Sequence, residues 1–435
     1  MKDTRPEKKT IGYFSAVSIS IGGMVGGGIF AVLGLAVQLS RGGTPIAFLL
    51  AGVIALFTSY SYVKLSTRYP TSGGTVEFIY QAFGPSIFTG GINILLWLSY
   101  IVMLSLYAYA FGSYGASFFP EVTQQLWKHI FTSGAIVLFT VLNVLGTDIV
   151  GKSEEFIVGI KVIILLIFIG VGSANINTTN LHLTNWSGPV ELIAGGMIIF
   201  LAYEGFQLIS TVAGNIKNPK KIIPLAYYSS VIFVIVLYVT ISIVVLGNLS
   251  IDKIISSEDY ALAEAAKPFL GSFGFSLIAI AALFSTGSAI NATLYGAGKI
   301  SYITAKDGEL PKWLGKKIWN RPIEGLLITS VLTLLFANLF DLISIAIMGS
   351  SGFLIIFAVV NASNFRLSKK TKSNKFISLI AIILCLSALI TLITQTAINT
   401  PLKLLVLIVM VSISFFIEFI YKKYTRRVIK SSIDK

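Results

Sequence analysis

Charge is what this sequence has least of. Only 12% of its 435 residues are Asp, Glu, Lys or Arg, about half the share found in soluble domains. That shortage excludes an ordinary water-soluble enzyme, a disordered chain and a fibrous protein. Cysteine is nearly absent: Cys385 stands alone, so no internal disulfide framework is possible and the redox compartment stays open. The two histidines, His129 and His182, both lie outside the apolar core. This argues against a histidine metal site or a Ser-His-Asp arrangement within the apolar core. No Walker A pattern occurs, so nothing points to ATP, and the glycine-rich run at 22–28 follows no strand that would make it a nucleotide loop. Period-two alternation with aromatic girdles is missing, which excludes a β-barrel. Low-complexity tracts and a separate soluble domain are missing too.

What remains is apolar. Hydrophobic residues make up 55% of the chain, and the mean hydropathy is +0.83. A membrane-spanning helix needs about 20 such residues, so twelve spans use roughly 240. Apolar runs lie near 13–39, 44–65, 86–112, 129–148, 155–173, 190–213, 225–247, 271–303, 323–340, 343–364, 376–396 and 401–421. Pro45, Pro85, Pro189, Pro224, Pro322 and Pro401 fall at span starts, where a missing N–H costs least. The reading is an all-α integral membrane protein with twelve transmembrane helices.

The net charge of +14 would suit a nucleic-acid partner, but the basic residues sit in short segments between the apolar runs, where they orient a membrane protein. Of the 33 Lys and Arg, 27 fall in segments that an even span count places in the cytosol, five fall outside, and Lys161 lies within a span. An even count with both termini cytosolic follows. Residues 1–12 and 422–435 are then cytosolic tails. The polar stretch Gly172–Gly188 is an external loop, and the amphipathic piece Tyr260–Lys267 of the stretch Ser250–Pro268 lies over the outer mouth. On the inner side Lys306–Trp319 mixes basic and aromatic residues and runs along the interface.

Three features break the apolar pattern. The first span holds five glycines in Ile21–Phe30, IGGMVGGGIF, each costing about 1 kcal/mol against alanine in a helix interior. Irregular backbone at membrane depth is tolerated where it lines a cavity, and freed N–H groups at the start of a half-helix suit a carboxylate. Gly22/Gly26 and Gly23/Gly27 are also spaced for close helix packing; both readings stand. The sixth span carries Glu204 and Gly205 midway along FLAYEGF, and a charge at that depth is a functional candidate by default. Breaks in corresponding spans of two halves point to a binding site between inverted repeats, with spans 1–5 at 13–173 and spans 6–10 at 190–364. Glu204 also has a purely structural reading, as a residue bonded within the bundle. Lys161 is the third feature. It lies about 9 Å along the helix from Glu155, within snorkelling reach of the interface. Turned inward, it would stand in for a coupling cation between the first and eighth spans. The eighth span offers Ser285, Thr286, Ser288, Asn291 and Thr293, residues that also bond within their own helix.

Four segments together resemble the amino acid–polyamine–organocation (APC) superfamily of transporters: GGMVGGGIF, YPTSGGTVEFIYQAFG (Tyr69–Gly84), FLAYEGFQ followed by NIKNPKKIIPLA, and NATLYGAGKISYITAKDGELP (Asn291–Pro311). The likeness runs from about residue 10 to about 320 and is nearest to archaeal proton-coupled amino-acid transporters. It implies a 5+5 inverted repeat (the LeuT-like fold) with two added helices at 376–421, discontinuous first and sixth helices, and alternating access. By resemblance the substrate lies against Gly22, Gly23, Met24, Val25, Gly26, Gly27 and Gly28. Its carboxylate meets the N–H groups of Val25 to Gly28. Its ammonium meets carbonyls near Gly22 and Gly23 and at Leu201, Ala202 and Glu204. Phe200 or Tyr203 shields the pocket, and Lys161 contacts the Gly22 carbonyl and the Ser285 hydroxyl. Many relatives carry a neutral side chain where Glu204 stands, which leaves neutral and cationic substrates both open.

The expectation is a multi-pass transporter of the cell membrane whose partners are an amino acid, protons and the bilayer, with no cofactor, ATP or nucleic acid. A sodium-coupled carrier fits less well, because an ammonium at position 161 would repel the ion. An amino acid or amine exchanger is the alternative within transport. A non-transporting sensor lacks a signalling domain, and a membrane enzyme lacks a nucleophile–base pair.

Overall fold

The computed structural model describes residues 10–71, 73–145, 150–307 and 323–425. The basic ends of both tails and nearly all of the stretch Lys306–Trp319 lie outside these residues. In chain order the helices are α1 Tyr13–Ser40, α2 Thr44–Arg68, α3 Thr75–Phe83, α4 Ile87–Ala116, α5 Glu121–Leu145 and α6 Val150–Gly172. Next come α7 Pro189–Ile198, a 3₁₀ turn at Ile199–Tyr203, α8 Leu208–Thr211, α9 Pro219–Asn248, α10 Ile251–Ser256 and α11 Ala261–Glu264. The last are α12 Lys267–Asp307, α13 Ile323–Leu339, α14 Leu342–Arg366, α15 Ser368–Thr371, α16 Lys375–Asn399 and α17 Pro401–Thr425. Two isolated bridges, Ile11 with Ile216 and Arg41 with Trp186, are the β pairing among the described residues.

Eleven helices among the described residues are long and apolar enough to cross a membrane, taking Pro189–Thr211 as one interrupted span. The shorter apolar helix α13, of 17 residues, covers the expected ninth span. The two starts that differ most from the sequence reading are those of α5 and α9. α5 begins at Glu121 rather than 129: Pro120 sets its entry, and its first two turns, EVTQQLWK, are too polar to register in an apolar run. α9 begins at Pro219 rather than 225, because Asn218 adopts a left-handed cap (φ 44°) and Pro219 takes the first helical position. Pro224 therefore sits inside the helix, where it removes one i→i−4 bond.

Segments that share a sign of charge bias meet at the same end of the bundle. At the end holding the α1 amino terminus, Lys217 N–H donates to the Ile11 carbonyl at 2.9 Å, and Lys64 Nζ reaches the Lys372 carbonyl at 3.4 Å. At the opposite end Gly42 N–H donates to Asn185 O at 3.0 Å, and Lys128 and Lys403 pair with Asp259 and Asp341, each at 2.6 Å. There α10, α11 and the turn between them pack on α1. Lys267 pairs with Glu264 at 2.7 Å and stands over the Phe275 ring.

Burial sorts the helices. The apolar stretch of Pro189–Thr211 is 94% buried and that of α1 83%, against 22% for α5 and α17. The interrupted helix and α1, with α4 and α14 buried to the same 83%, therefore form the centre, and the outermost helices present Leu, Ile and Phe outward, such as Phe376 and Ile390. Lipid tails are as apolar as these side chains, so association of the central helices rests on close packing and buried polar bonds rather than on hydrophobic burial.

Candidate functional site

Helix winding fails midway along 189–211. α7 ends at Ile198, tightens into the 3₁₀ turn, and at Glu204 the backbone turns extended (φ −60°, ψ 142°). Gly205 follows with φ 123°, a conformation open mainly to glycine, before α8 resumes at Leu208. The helix end leaves groups that need partners, and α14 supplies them: Ser350 Oγ donates to Ile198 O at 2.6 Å and accepts from Leu201 N–H at 3.1 Å. Gly349 lets the Leu201 side chain close on the same turn.

The first span is not broken. α1 winds without interruption from Tyr13 to Ser40 through Gly22–Gly28, which corrects the expectation of a discontinuous first helix. Its glycines serve approach instead. A Cβ on Gly26, Gly27 or Gly28 would fall 2.6 Å from Ala289 Cβ, 1.9 Å from the Tyr107 ring and 2.7 Å from the Ala202 carbonyl oxygen. A Cβ on Gly23 would meet Gly205 Cα at 2.9 Å. The close-packing reading of the spacing is the one that holds here. The N–H groups of Val25 to Gly28 are therefore enclosed in helical winding, where the regular partner of each is the carbonyl one turn earlier. They offer no open cradle for a carboxylate in this conformation.

Four consecutive carbonyls of α1 each accept a side-chain hydrogen bond from a different helix. Lys161 Nζ of α6 donates to Gly22 O at 3.1 Å, and Tyr107 of α4 to Gly23 O at 3.1 Å. Tyr238 of α9 donates to Met24 O at 2.7 Å, and Ser285 of α12 to Val25 O at 3.1 Å. The Tyr238 hydroxyl also lies 3.2 Å from Ala202 O, across the break. Lys161 is 1% exposed, so it does not snorkel. Its contact with Gly22 O is the one implied by resemblance, whereas the Ser285 hydroxyl turns to Val25 O.

Glu204 is 2% exposed. Its carboxylate accepts from Gln207 Nε2, which also donates to the Tyr100 hydroxyl at 3.1 Å. Gln207 Oε1 is buried without a hydrogen-bond partner among the described residues. Phe200 and Tyr203 diverge: the Phe200 ring meets Phe357 of α14 at 5.8 Å, while Tyr203 lies 5.2 Å from Tyr238 and donates to Phe48 O at 2.8 Å. Every residue from Ser20 to Val37 and from Gly195 to Phe206 is buried, so the whole constellation is sealed.

The sequence reading missed Tyr107, Tyr238, Gln207 and Ser350. Gln207 was findable, since it lies three residues after Glu204 on the same turn. Nothing in the spacing singles out two tyrosines among 18 or one serine in α14.

An interrupted central helix, a glycine-faced partner and an inward-facing lysine form one buried site. Across residues 11–419 the chain matches the family model for amino acid permeases. The chain belongs to the amino acid permease family. It is 37% identical over 432 residues to the uncharacterized protein MJ0609 of Methanocaldococcus jannaschii, covering 98% of each chain. It is 34% identical over 362 residues to the inner membrane transport protein YbaT of Escherichia coli, covering 82% of this chain and 84% of that one. The branched-chain amino acid permease BcaP of Bacillus subtilis is similar at 23% identity over 382 residues, 83% of this chain and 82% of its own. The protein is thus a multi-pass membrane permease of the APC superfamily, a transporter rather than an enzyme in family character, and its partners are the bilayer and a small-molecule substrate.

Proposed function

We propose that this permease carries amino acids across the cytoplasmic membrane in symport with protons, by alternating access. Twelve spans, a 5+5 inverted repeat plus α16 and α17, and cytosolic termini complete the reading. Its main support is the pairing of the break at Ile199–Gly205 with the glycine face of α1, where carbonyls of both helices lie side by side in the buried centre. Those of the 3₁₀ turn stand at the negative end of a half-helix, α7, and suit an ammonium. The carboxylate needs N–H groups that α1 frees only by opening its glycine turn. Glycine makes that opening cheap, because each one already weakens the helix by about 1 kcal/mol against alanine. In this reading Lys161 carries the coupling proton. Relatives are named for branched-chain and for cationic amino acids, so the class proposed is amino acids as a whole.

The test is uptake of each standard amino acid into proteoliposomes under an imposed pH gradient, with and without sodium. Accumulation that collapses with a protonophore and ignores sodium is expected. Absence of uptake for all of them overturns the reading, and a sodium requirement overturns the proton coupling. Counterflow that needs internal substrate and ignores pH would favour the exchanger.

Glu204→Gln preserves the shape of a buried side chain whose recorded partner is Gln207. We expect purified yield within about twofold of wild type and a lowered ratio of L-lysine to L-leucine uptake, because a neutral amide gives up attraction for a cation. An unchanged ratio together with an unchanged pH profile would make the residue structural.

A further inference from the structure

We infer that the Tyr238 hydroxyl occupies the place of the substrate ammonium when the site closes empty, and that this is what lets the carrier reorient unloaded. The inference rests on the transport reading above. Tyr238 is fully buried on α9, its ring held edge-on by Phe48 at 5.5 Å and beside Tyr203 at 5.2 Å. Its hydroxyl lies 2.7 Å from Met24 O and 3.2 Å from Ala202 O, one carbonyl from α1 and one from the 3₁₀ turn of the broken helix. Gly28 makes the position possible, since a Cβ there would stand 2.8 Å from the hydroxyl oxygen.

The phenol has one proton for two carbonyls. It can satisfy one well or both poorly. An ammonium brings three donors and a full charge, and charge-assisted bonds are roughly twice as strong as neutral ones. A substrate ammonium at this place is therefore the better partner, and the phenol is a weaker stand-in that yields to it. Without the stand-in, closing the empty site would take from the Ala202 carbonyl its side-chain donor and leave Met24 O with only the Gly28 N–H of its own helix, at a cost that slows the unloaded return. A symporter must make that return in every cycle. An exchanger never does. Tyr238 is thus a positioning residue for the empty carrier and a competitor for the loaded one.

The experiment compares Tyr238→Phe with wild type in proteoliposomes, using the amino acids that wild type carries, in net uptake and in counterflow. Phenylalanine keeps the ring packing and removes only the hydroxyl. Net uptake is expected to fall about three- to tenfold relative to counterflow, the factor corresponding to one lost hydrogen bond, while the KM measured in counterflow falls. The control is Tyr114→Phe, which removes a phenol bonded to α1 at Phe30 O, 3.2 Å away, and should leave the ratio unchanged. A Tyr238→Phe protein with a wild-type ratio, or with a raised KM, overturns the inference and leaves the transport reading standing. Wild type that carries no amino acid overturns both.

Discussion

Lys161→Ala should abolish accumulation driven by a pH gradient while counterflow continues. A gradient of one pH unit supplies about 1.4 kcal/mol per proton, enough for about tenfold accumulation at one proton per substrate. Wild type should approach that ratio, and the variant should stay at one. The ammonium is sealed from solvent and grips the first carbonyl of the glycine run, Gly22 O, from a helix 139 residues away in sequence. Charge-assisted, that bond is roughly twice a neutral one, so loss of the proton loosens the grip on the turn of α1 that must open for substrate. Proton and substrate are then linked through one piece of backbone. Lys161→Arg sharpens the test, because a guanidinium keeps its charge throughout. It should hold α1 yet lose coupling as fully as alanine does. Gradient-driven accumulation that survives both substitutions would remove Lys161 from the coupling step and leave it a structural tie.

The spans were legible because hydrophobic length is nearly all a membrane helix needs to declare itself. Their errors lie where polarity intrudes, at Glu121–Lys128 and Pro219–Pro224. The break in the sixth helix was legible too, since Glu204 and Gly205 weaken the same turn. The break expected in α1 was not, and the reason is physical. Glycine weakens a helix and also admits neighbours, and sequence alone does not say which property is in use. In α1 the neighbours are concrete: Tyr107 fills the space at Gly27, and Ala202 the space at Gly28. Their carbonyl bonds from Lys161, Tyr107, Tyr238 and Ser285 come from four helices far apart in the chain. No local pattern encodes such contacts. Glu204 shows the same limit, for its depth and its neighbour Gln207 are readable from the sequence while the Tyr100 hydroxyl that shares Gln207 belongs to the fold.

Gly205→Ala should be the most damaging single-methyl change in the protein. Two independent costs fall on one Cβ. At φ 123° an L side chain is strained, by about 1–3 kcal/mol. The added atom would also lie 2.5 Å from the backbone of Gly23 and of Met24, and overpacking costs about 1–3 kcal/mol more. Backbone cannot rotate aside as a side chain does, and these two residues are held by Tyr107 and Tyr238 through their carbonyls. Relief therefore requires α1 and the broken helix to separate, which dismantles the carbonyl pair at the centre of the proposed site. The expected result is a large loss of monodisperse protein on size exclusion after heating, with transport falling in the fraction that survives. Gly159→Ala provides the contrast. That glycine lies exposed on α6 with nothing within 4 Å of an added Cβ, so alanine there should be neutral or stabilising by up to about 1 kcal/mol. Wild-type melting and uptake in Gly205→Ala would mean that α1 and the sixth helix do not meet backbone to backbone, and the site built on that contact would fall with it.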